Sequence, residues 1–254
     1  MSAYEPGSFL AELTDGERAD LLPRGRERRF ERGEVLFAEG ESTAWVAVLL
    51  SGTVKACSYG DNGVEVVLAV RGPGALLGEV SAIDGLPRSA SVSALERVRV
   101  LALPSDEFMD FLHAHSRVSV LLMRMLCQRW RDADRKRIEF GMFDTTGRVA
   151  QRLVELAERY SEPYEPRTGK PALRAPGPQR VRDPRPPGRT DPSAPPGSVR
   201  ITVNLTQEEL AGWVGASREA VSKALRTLRS HGWIETGRRR VIVHDLQALR
   251  RHAR

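Results

Sequence analysis

The stretch that most limits what this chain can fold into lies near its C-terminus. There Thr206-Gln207-Glu208-Glu209-Leu210-Ala211 is followed by Val214-Gly215-Ala216-Ser217-Arg218-Glu219-Ala220-Val221-Ser222-Lys223-Ala224-Leu225. Thr206 and Glu209 have capping-box spacing: the hydroxyl can accept from the third helical amide while the carboxylate accepts from the cap amide. A helix therefore begins just after Thr206, with Leu210, Ala211 and Val214 as its apolar face. Gly215 tolerates a tight turn, and Ser217 can cap a second helix. That helix carries Val221, Leu225 and Leu228 inward and leaves Arg218, Glu219, Ser222, Lys223 and Arg226 outward, the donors and acceptors needed to read base edges in a major groove. The pattern is a helix-turn-helix; its rival is an ordinary helical hairpin with a charged, solvated face.

Downstream, Trp233-Ile234-Glu235-Thr236 and Val241-Ile242-Val243 predict two short strands around Gly237-Arg238-Arg239-Arg240, a hairpin with cations at its tip. This has the form of the wing of a winged helix. Arg238, Arg239 and Arg240 carry no base code but suit phosphate oxygens. Together with Thr206, Gln207, Ser217, Arg218, Glu219 and Lys223 they form the candidate DNA-binding set. Charge distribution agrees. Residues 200–254 hold 11 basic and 5 acidic side chains and residues 161–199 hold 7 and 4, whereas the rest of the chain holds 21 and 24. The excess of cations belongs to the part expected to meet a polyanion.

Cys57 and Cys127 are far apart and lack any CxxC spacing, so neither a zinc site nor an iron–sulfur cluster is expected; they are expected as reduced, partly buried thiols. No run reaches the length of a membrane span and no signal-peptide pattern opens the chain, which predicts a cytoplasmic protein without membrane contact. No P-loop, kinase signature, metal-ligand cluster or nucleophile motif occurs, and the expectation is that the chain is not an enzyme.

A short helix is expected near Glu12 to Leu22. Beyond it, β-rich runs separated by glycines cover Glu34–Phe37, Trp45–Leu50, Thr53–Cys57 and Val64–Val70, with a further pair near Ser89–Ser93 and Val98–Leu103. Short strands at this spacing predict an all-β sandwich or roll. After Pro104, a helical region runs from about Asp106 to Glu139, broken near His113 to Ser116. In its long second part, Leu122, Leu126, Trp130 and Ala133 form an apolar stripe that could pack on the β domain or on a symmetry mate. Another helix follows Asp144-Thr145-Thr146-Gly147-Arg148. Residues 161–198 differ in kind: they carry 11 of the chain's 16 prolines and almost no large apolar residue, the composition of a disordered insertion.

The roll ends in Leu77-Gly78-Glu79-Val80-Ser81-Ala82-Ile83-Asp84-Gly85-Leu86-Pro87-Arg88-Ser89-Ala90-Ser91-Val92. The stretch offers a glycine-opened turn, one carboxylate and one guanidinium. An arginine with adjacent amides and a hydroxyl suits a phosphate, and a carboxylate suits sugar hydroxyls; a structural Glu79–Arg88 ion pair is the alternative. These residues resemble the phosphate-binding cassette of cyclic-nucleotide-binding domains, F-G-E-[LV]-x-x-[IL]-x-x-x-P-R-[AST]-A, with Leu77 in place of the usual Phe. Combined with the winged helix, the chain resembles the CRP/FNR family of transcription regulators over nearly its whole length apart from the Pro-rich segment.

The resemblance implies an α+β architecture: a cyclic-nucleotide-binding β-roll of the jelly-roll type over residues 1–115, a dimerisation helix over 116–141, a first C-terminal helix over 142–160, the insertion over 161–198 and a winged helix-turn-helix over 199–254. It implies that Gly78, Glu79, Val80, Arg88 and Ser89 hold the ribose and cyclic phosphate. The places that face the base fall on Ala133, which can make no hydrogen bond, and Asp134, which can only accept, with Arg129 of the same binding set one turn before them. The implied ligand is cyclic AMP, with cyclic GMP also open. The implied partners are a second copy of the chain, double-stranded DNA with a palindromic GTGA-like site, and RNA polymerase. A ligand-independent regulator with a degenerate pocket is the rival within the family, and a regulatory subunit of an enzyme is the remote one.

Overall fold

A computed structural model describes residues 4–60, 63–164, 197–237 and 240–253. The N-terminal part is built on two four-stranded antiparallel sheets. One has the order β1 (Arg26–Phe30), β8 (Val98–Pro104), β3 (Trp45–Ser51), β6 (Leu76–Leu77); the other runs β2 (Val35–Phe37), β7 (Ser91–Ala94), β4 (Val54–Tyr59), β5 (Glu65–Arg71). Phe37, Leu49, Val54, Leu77, Val92 and Val98 fill the space between them. On the outer face of the first sheet, α1 (Phe9–Glu12), α2 (Asp15–Leu21), α4 (Ser105–Ala114) and the start of α5 (Ser116–Met142) pack Phe9, Leu21, Phe108, Phe111 and Leu122 against Val46, Val48 and Leu103.

Two elements of the roll escape the sequence pattern. β1 reads Arg-Glu-Arg-Arg-Phe and buries only Phe30, yet it pairs residue for residue with β8. An edge strand needs one neighbour and little apolar surface, so alternation gives no sign of it. A short helix, α3 (Glu79–Asp84), occupies the middle of the glycine-opened turn.

The 27-residue α5 is about 40 Å long at helical rise. Its expected apolar stripe divides. Leu122 and Leu126 pack on the chain's own roll, whereas Trp130 is 73% exposed and Ala133 is also on the surface. The apolar row left open is Val120, Met123, Cys127 and Trp130, at steps of three, four and three, the spacing of a coiled-coil seam. Cys127 is thus exposed, against expectation, while Cys57 is buried.

The C-terminal part comprises α6 (Thr145–Arg159), α7 (Gln207–Val214), α8 (Arg218–Ser230), α9 (Leu246–His252) and a sheet ordered β11 (Ile234–Gly237), β12 (Arg240–Val243), β10 (Val199–Ile201), β9 (Ser161–Pro163). The expected insertion boundary is corrected by β9. Ser161–Pro163 pairs with β10, Arg200 Nε donates to Glu162 Oε1 at 2.8 Å, and the Tyr164 amide donates to the Ser198 carbonyl at 2.9 Å. The flanks of the Pro-rich segment are therefore sheet; residues 165–196 lie outside the described residues. Helix α9 is absent from the sequence reading, because seven residues carry too few periods to stand out.

The two parts share a core. Val67, Val70 and Leu95 of the roll join Leu153, Trp213, Val214 and Leu228 in one apolar cluster. Among the described residues no helix is long and apolar enough to cross a membrane, and no group of three or more His, Cys, Asp and Glu is placed to hold a metal ion.

Candidate functional site

The turn between β6 and α3 sets up the first site. Gly78 caps α3 at φ +78°, and a Cβ there would come within 2.5 Å of Arg88 Nη1. Glycine thus serves both the left-handed backbone and the close approach of the guanidinium. Arg88 is 3% exposed. Its Nη1 donates to the Gly78 carbonyl (2.7 Å) and Ser81 Oγ (2.9 Å), its Nε to Thr43 Oγ1 (2.8 Å), and its Nη2 to the carbonyls of Thr43 (3.1 Å) and Trp45. Five donors meet five protein oxygens, which exhausts the guanidinium. Its Cζ lies 4.0 Å from the centre of the Phe37 ring. Burial pushes the Arg88 pKa down, against the opposing pull of Glu79 and Glu41, and an arginine stays charged regardless.

Glu79, 2% exposed, is paired with Arg129 of α5, which also donates through Nη2 to the Leu76 carbonyl at 3.0 Å. Gly78, Glu79, Arg88 and Arg129 are therefore brought together, and a direct Glu79–Arg88 ion pair is not among the bonds formed. Val80 and Ser89 lie on the surface beside them. Asp134 is exposed, on the same face of α5 as Cys127 and Trp130, and makes no hydrogen bond to the cluster among the described residues. Ala133, by contrast, lines a cleft of about 590 Å³ between β5, α5 and α6, with Arg71, Arg129 and Lys136. Sequence reasoning missed Thr43, Trp45 and Ser81. The first two sit more than forty positions from Arg88, at the start of the Trp45 strand and just before it, so only the folded chain shows that they meet it.

The second site is the helix-turn-helix. Both halves of the Thr206–Glu209 capping box form: the Glu209 amide donates to Thr206 Oγ1 (3.1 Å) and the Thr206 amide to Glu209 Oε2 (2.7 Å). Ser217 caps α8 by accepting from the Ala220 amide at 3.2 Å. Val221, Leu225 and Leu228 are buried, while Arg218, Glu219, Lys223 and Arg226 stand in solvent. Hydrogen bonds from its own backbone amide and from Ser217 hold the Glu219 carboxyl below the usual range, which keeps it an acceptor. Gln207 is exposed and Thr206 half-buried at the start of α7. In the wing, Arg240 is tied to Glu235 at 2.6 Å, and Arg238 and Arg239 lie outside the described residues.

A direct contact joins the roll to the helix-turn-helix. Lys55 Nζ of β4 lies 2.6 Å from Glu65 of β5 and 3.3 Å from Glu209 of α7. Burial would lower the Lys55 pKa, but the two carboxylates outweigh it and the net shift is upward. Beside this triad, α7 sits so close to β5 that a Cβ on Gly212 would fall 2.4 Å from the Glu65 carbonyl oxygen. Meanwhile Lys136 of α5 donates to the Leu68 carbonyl at 2.8 Å, and Arg152 of α6 pairs with Glu139 of α5. The roll, the long helix and the helix-turn-helix are thus bonded pairwise.

Two family models match the chain: a cyclic nucleotide-binding domain over residues 27–115 and a Crp-like helix-turn-helix domain over residues 147–252. A CRP-like cAMP-activated global transcriptional regulator from Mycobacterium tuberculosis is 32% identical over 225 residues, covering 89% of this chain and 87% of that protein. A cyclic AMP receptor protein from Thermus thermophilus is 26% identical and covers 96% and 95%. Among solved structures, a CRP/FNR family transcriptional regulator from Thermus thermophilus shares the fold, with a TM-score of 0.63, 23% identity and coverage of 90% and 98%.

Proposed function

Because the chain belongs to the CRP/FNR family of transcription regulators, we propose that it works as a cytoplasmic homodimer in which a cyclic nucleotide, by similarity to its relatives cyclic AMP, controls binding to a palindromic DNA site. The observation that carries this reading is the joining of the Glu79–Arg129 pair to the long helix while α8 presents Arg218, Glu219 and Lys223 to solvent. Glu79 would hold the ribose 2′-hydroxyl, and Arg88 and Ser89 the cyclic phosphate. For Glu79 to bond a ribose, Arg129 must share it; for Arg88 to bond a phosphate, it must exchange at least one protein oxygen. Both exchanges move groups on which α3 and α5 depend. Ligand binding is thereby coupled to the dimer helices without any separate device, provided the DNA-competent state binds the nucleotide more tightly.

The row Val120, Met123, Cys127 and Trp130 is the dimer seam. Asp134, at its end, would then face the partner's cluster and act there as an acceptor toward the base. Two α8 helices related by the two-fold axis suit GTGA-like half-sites about 34 Å apart. Arg218 would read a guanine and Glu219 a cytosine amine, with Ser217, Lys223, Thr206, Gln207 and the wing arginines on phosphates. RNA polymerase would be the further partner. The test is a gel shift and a selection from random DNA, each with and without cyclic AMP and cyclic GMP. Enrichment of a two-fold GTGA-like site only with nucleotide supports the proposal.

A second reading has one observation in its favour. The five protein oxygens around Arg88 leave it no open donor, as in a pocket that has closed for good. That regulator would bind DNA equally well with and without nucleotide, and the same gel shift separates the two.

A further inference from the structure

Arg71, the last residue of β5, has the opposite problem to Arg88. The only hydrogen bond of its side chain among the described residues is from Nη1 to the carbonyl of its neighbour Val70, at 3.1 Å, and among them it has no carboxylate in an ion pair. It is half-buried in a cleft of about 300 Å³ formed by the N-terminal segment, Arg71 and the first half of α5. Burial lowers its pKa, the nearby charges of Arg129 and Arg159 lower it further, and Tyr160 and Glu79 oppose this only in part. An inward-facing guanidinium with most of its donors open, beside two more guanidinium groups, is costly unless an anion joins it.

Of the acidic groups lining the cleft, Glu5 lies 2.6 Å from Arg159, which lines the cleft too, and Asp132 accepts from Gln128 at 2.9 Å and from Arg135; neither bonds Arg71. The carboxylate of Glu12 is exposed at the rim. Arg124, exposed on α5, lines the same cleft without an ion pair among the described residues.

We propose that this cleft is an anion site separate from the Gly78–Ser89 cassette, that it takes a phosphate-bearing small molecule, and that Arg71 binds the phosphate with Arg124 as the flanking donor. Arg129 lines the cleft as well and holds Glu79, so an occupant would be felt at the cassette.

The experiment is thermal unfolding and calorimetry of the full chain with inorganic pyrophosphate and, separately, 5′-AMP, against sodium chloride of matched ionic strength. The two arms separate a free from a nucleotide-borne phosphate. The expected result is saturable stabilisation of the wild type by at least one of them, weakened about tenfold or more in Arg71→Leu. Without ligand, Arg71→Leu should unfold at the same or a higher temperature, because it removes an unpaired charge. Arg71→Gln should lose binding in the same way. The proposal is overturned if the wild type shows no shift beyond the salt control at millimolar probe, if both variants bind as the wild type does, or if Arg71→Leu and Arg71→Gln both lower the unfolding temperature. Pyrophosphate binding that is lost in Arg88→Ala but kept in Arg71→Leu would place the anion in the cassette and also overturn it. Failure of cyclic AMP itself to bind would count only against the proposed function.

Discussion

Arg88 and Arg218 are the same residue in opposite circumstances. Arg88 is buried and spends all its donors on five oxygens of its own chain, whereas Arg218 stands on α8 in solvent with no side-chain hydrogen bond among the described residues. A solvated arginine is ready to meet a guanine at once. A buried one must first give something up, and that exchange can carry a signal. Under the proposed function, the recognition helix is thus built in advance, while the cassette is built to change.

The sharpest way to break this contrast is to truncate both arginines. Arg88→Ala should abolish cyclic nucleotide binding and also lower stability by about 2–4 kcal/mol, since several buried oxygens lose a charged donor. Arg218→Ala should leave stability within about 0.5 kcal/mol while removing about 1–3 kcal/mol of base discrimination. Calorimetry, chemical denaturation and a random-DNA selection read the three quantities. If Arg88→Ala were as stable as Arg218→Ala, the oxygens around Arg88 would not be holding the turn.

Gly212→Ala tests the seam between the two regions. In an isolated helix this change favours folding by up to about 1 kcal/mol. Here the new Cβ meets the Glu65 carbonyl, and overpacking of this kind costs about 1–3 kcal/mol. The full chain should therefore lose stability in a denaturant titration, and a gain would show that α7 does not rest on β5 in solution. Lys55→Ala should act in the same direction, by about 1 kcal/mol or more, because it leaves Glu209 without its cation.

Thiol labelling sharpens the comparison at the dimer helix. Burial pushes the Cys57 thiol up to about 11, and it should resist alkylation in the native protein. Cys127 should label readily in the dissociated chain and slowly in the dimer, so its labelling rate should fall as protein concentration rises. A rate independent of concentration would remove Cys127 from the seam.

The smallest effect is expected from deleting residues 165–196. Tyr164 and Ser198 are already hydrogen-bonded, so the deletion joins points that lie side by side. Shortening such a loop changes closure entropy by only about 0.6 kcal/mol per halving. Folding and nucleotide affinity should be unchanged. A changed promoter response in transcription assays would mark the segment as a tether to flanking DNA or RNA polymerase, and an unchanged one as a neutral insertion.

What the sequence by itself determined were the local features. Capping boxes, a helical period over α8 and glycines between β runs act over three to seven residues, so they are visible in a single chain. The helix-turn-helix, the roll and the residue types of the cassette were all legible in this way. Tertiary structure alone decided what those residues do with their donors: Arg88 finds Thr43 and Trp45, Lys55 finds Glu209, Arg71 forms no ion pair among the described residues, and the α5 stripe splits between roll and seam. The physical reason is range. A cap or a period is fixed by near neighbours, whereas the satisfaction of a buried charge depends on oxygens that the fold brings from tens or hundreds of residues away.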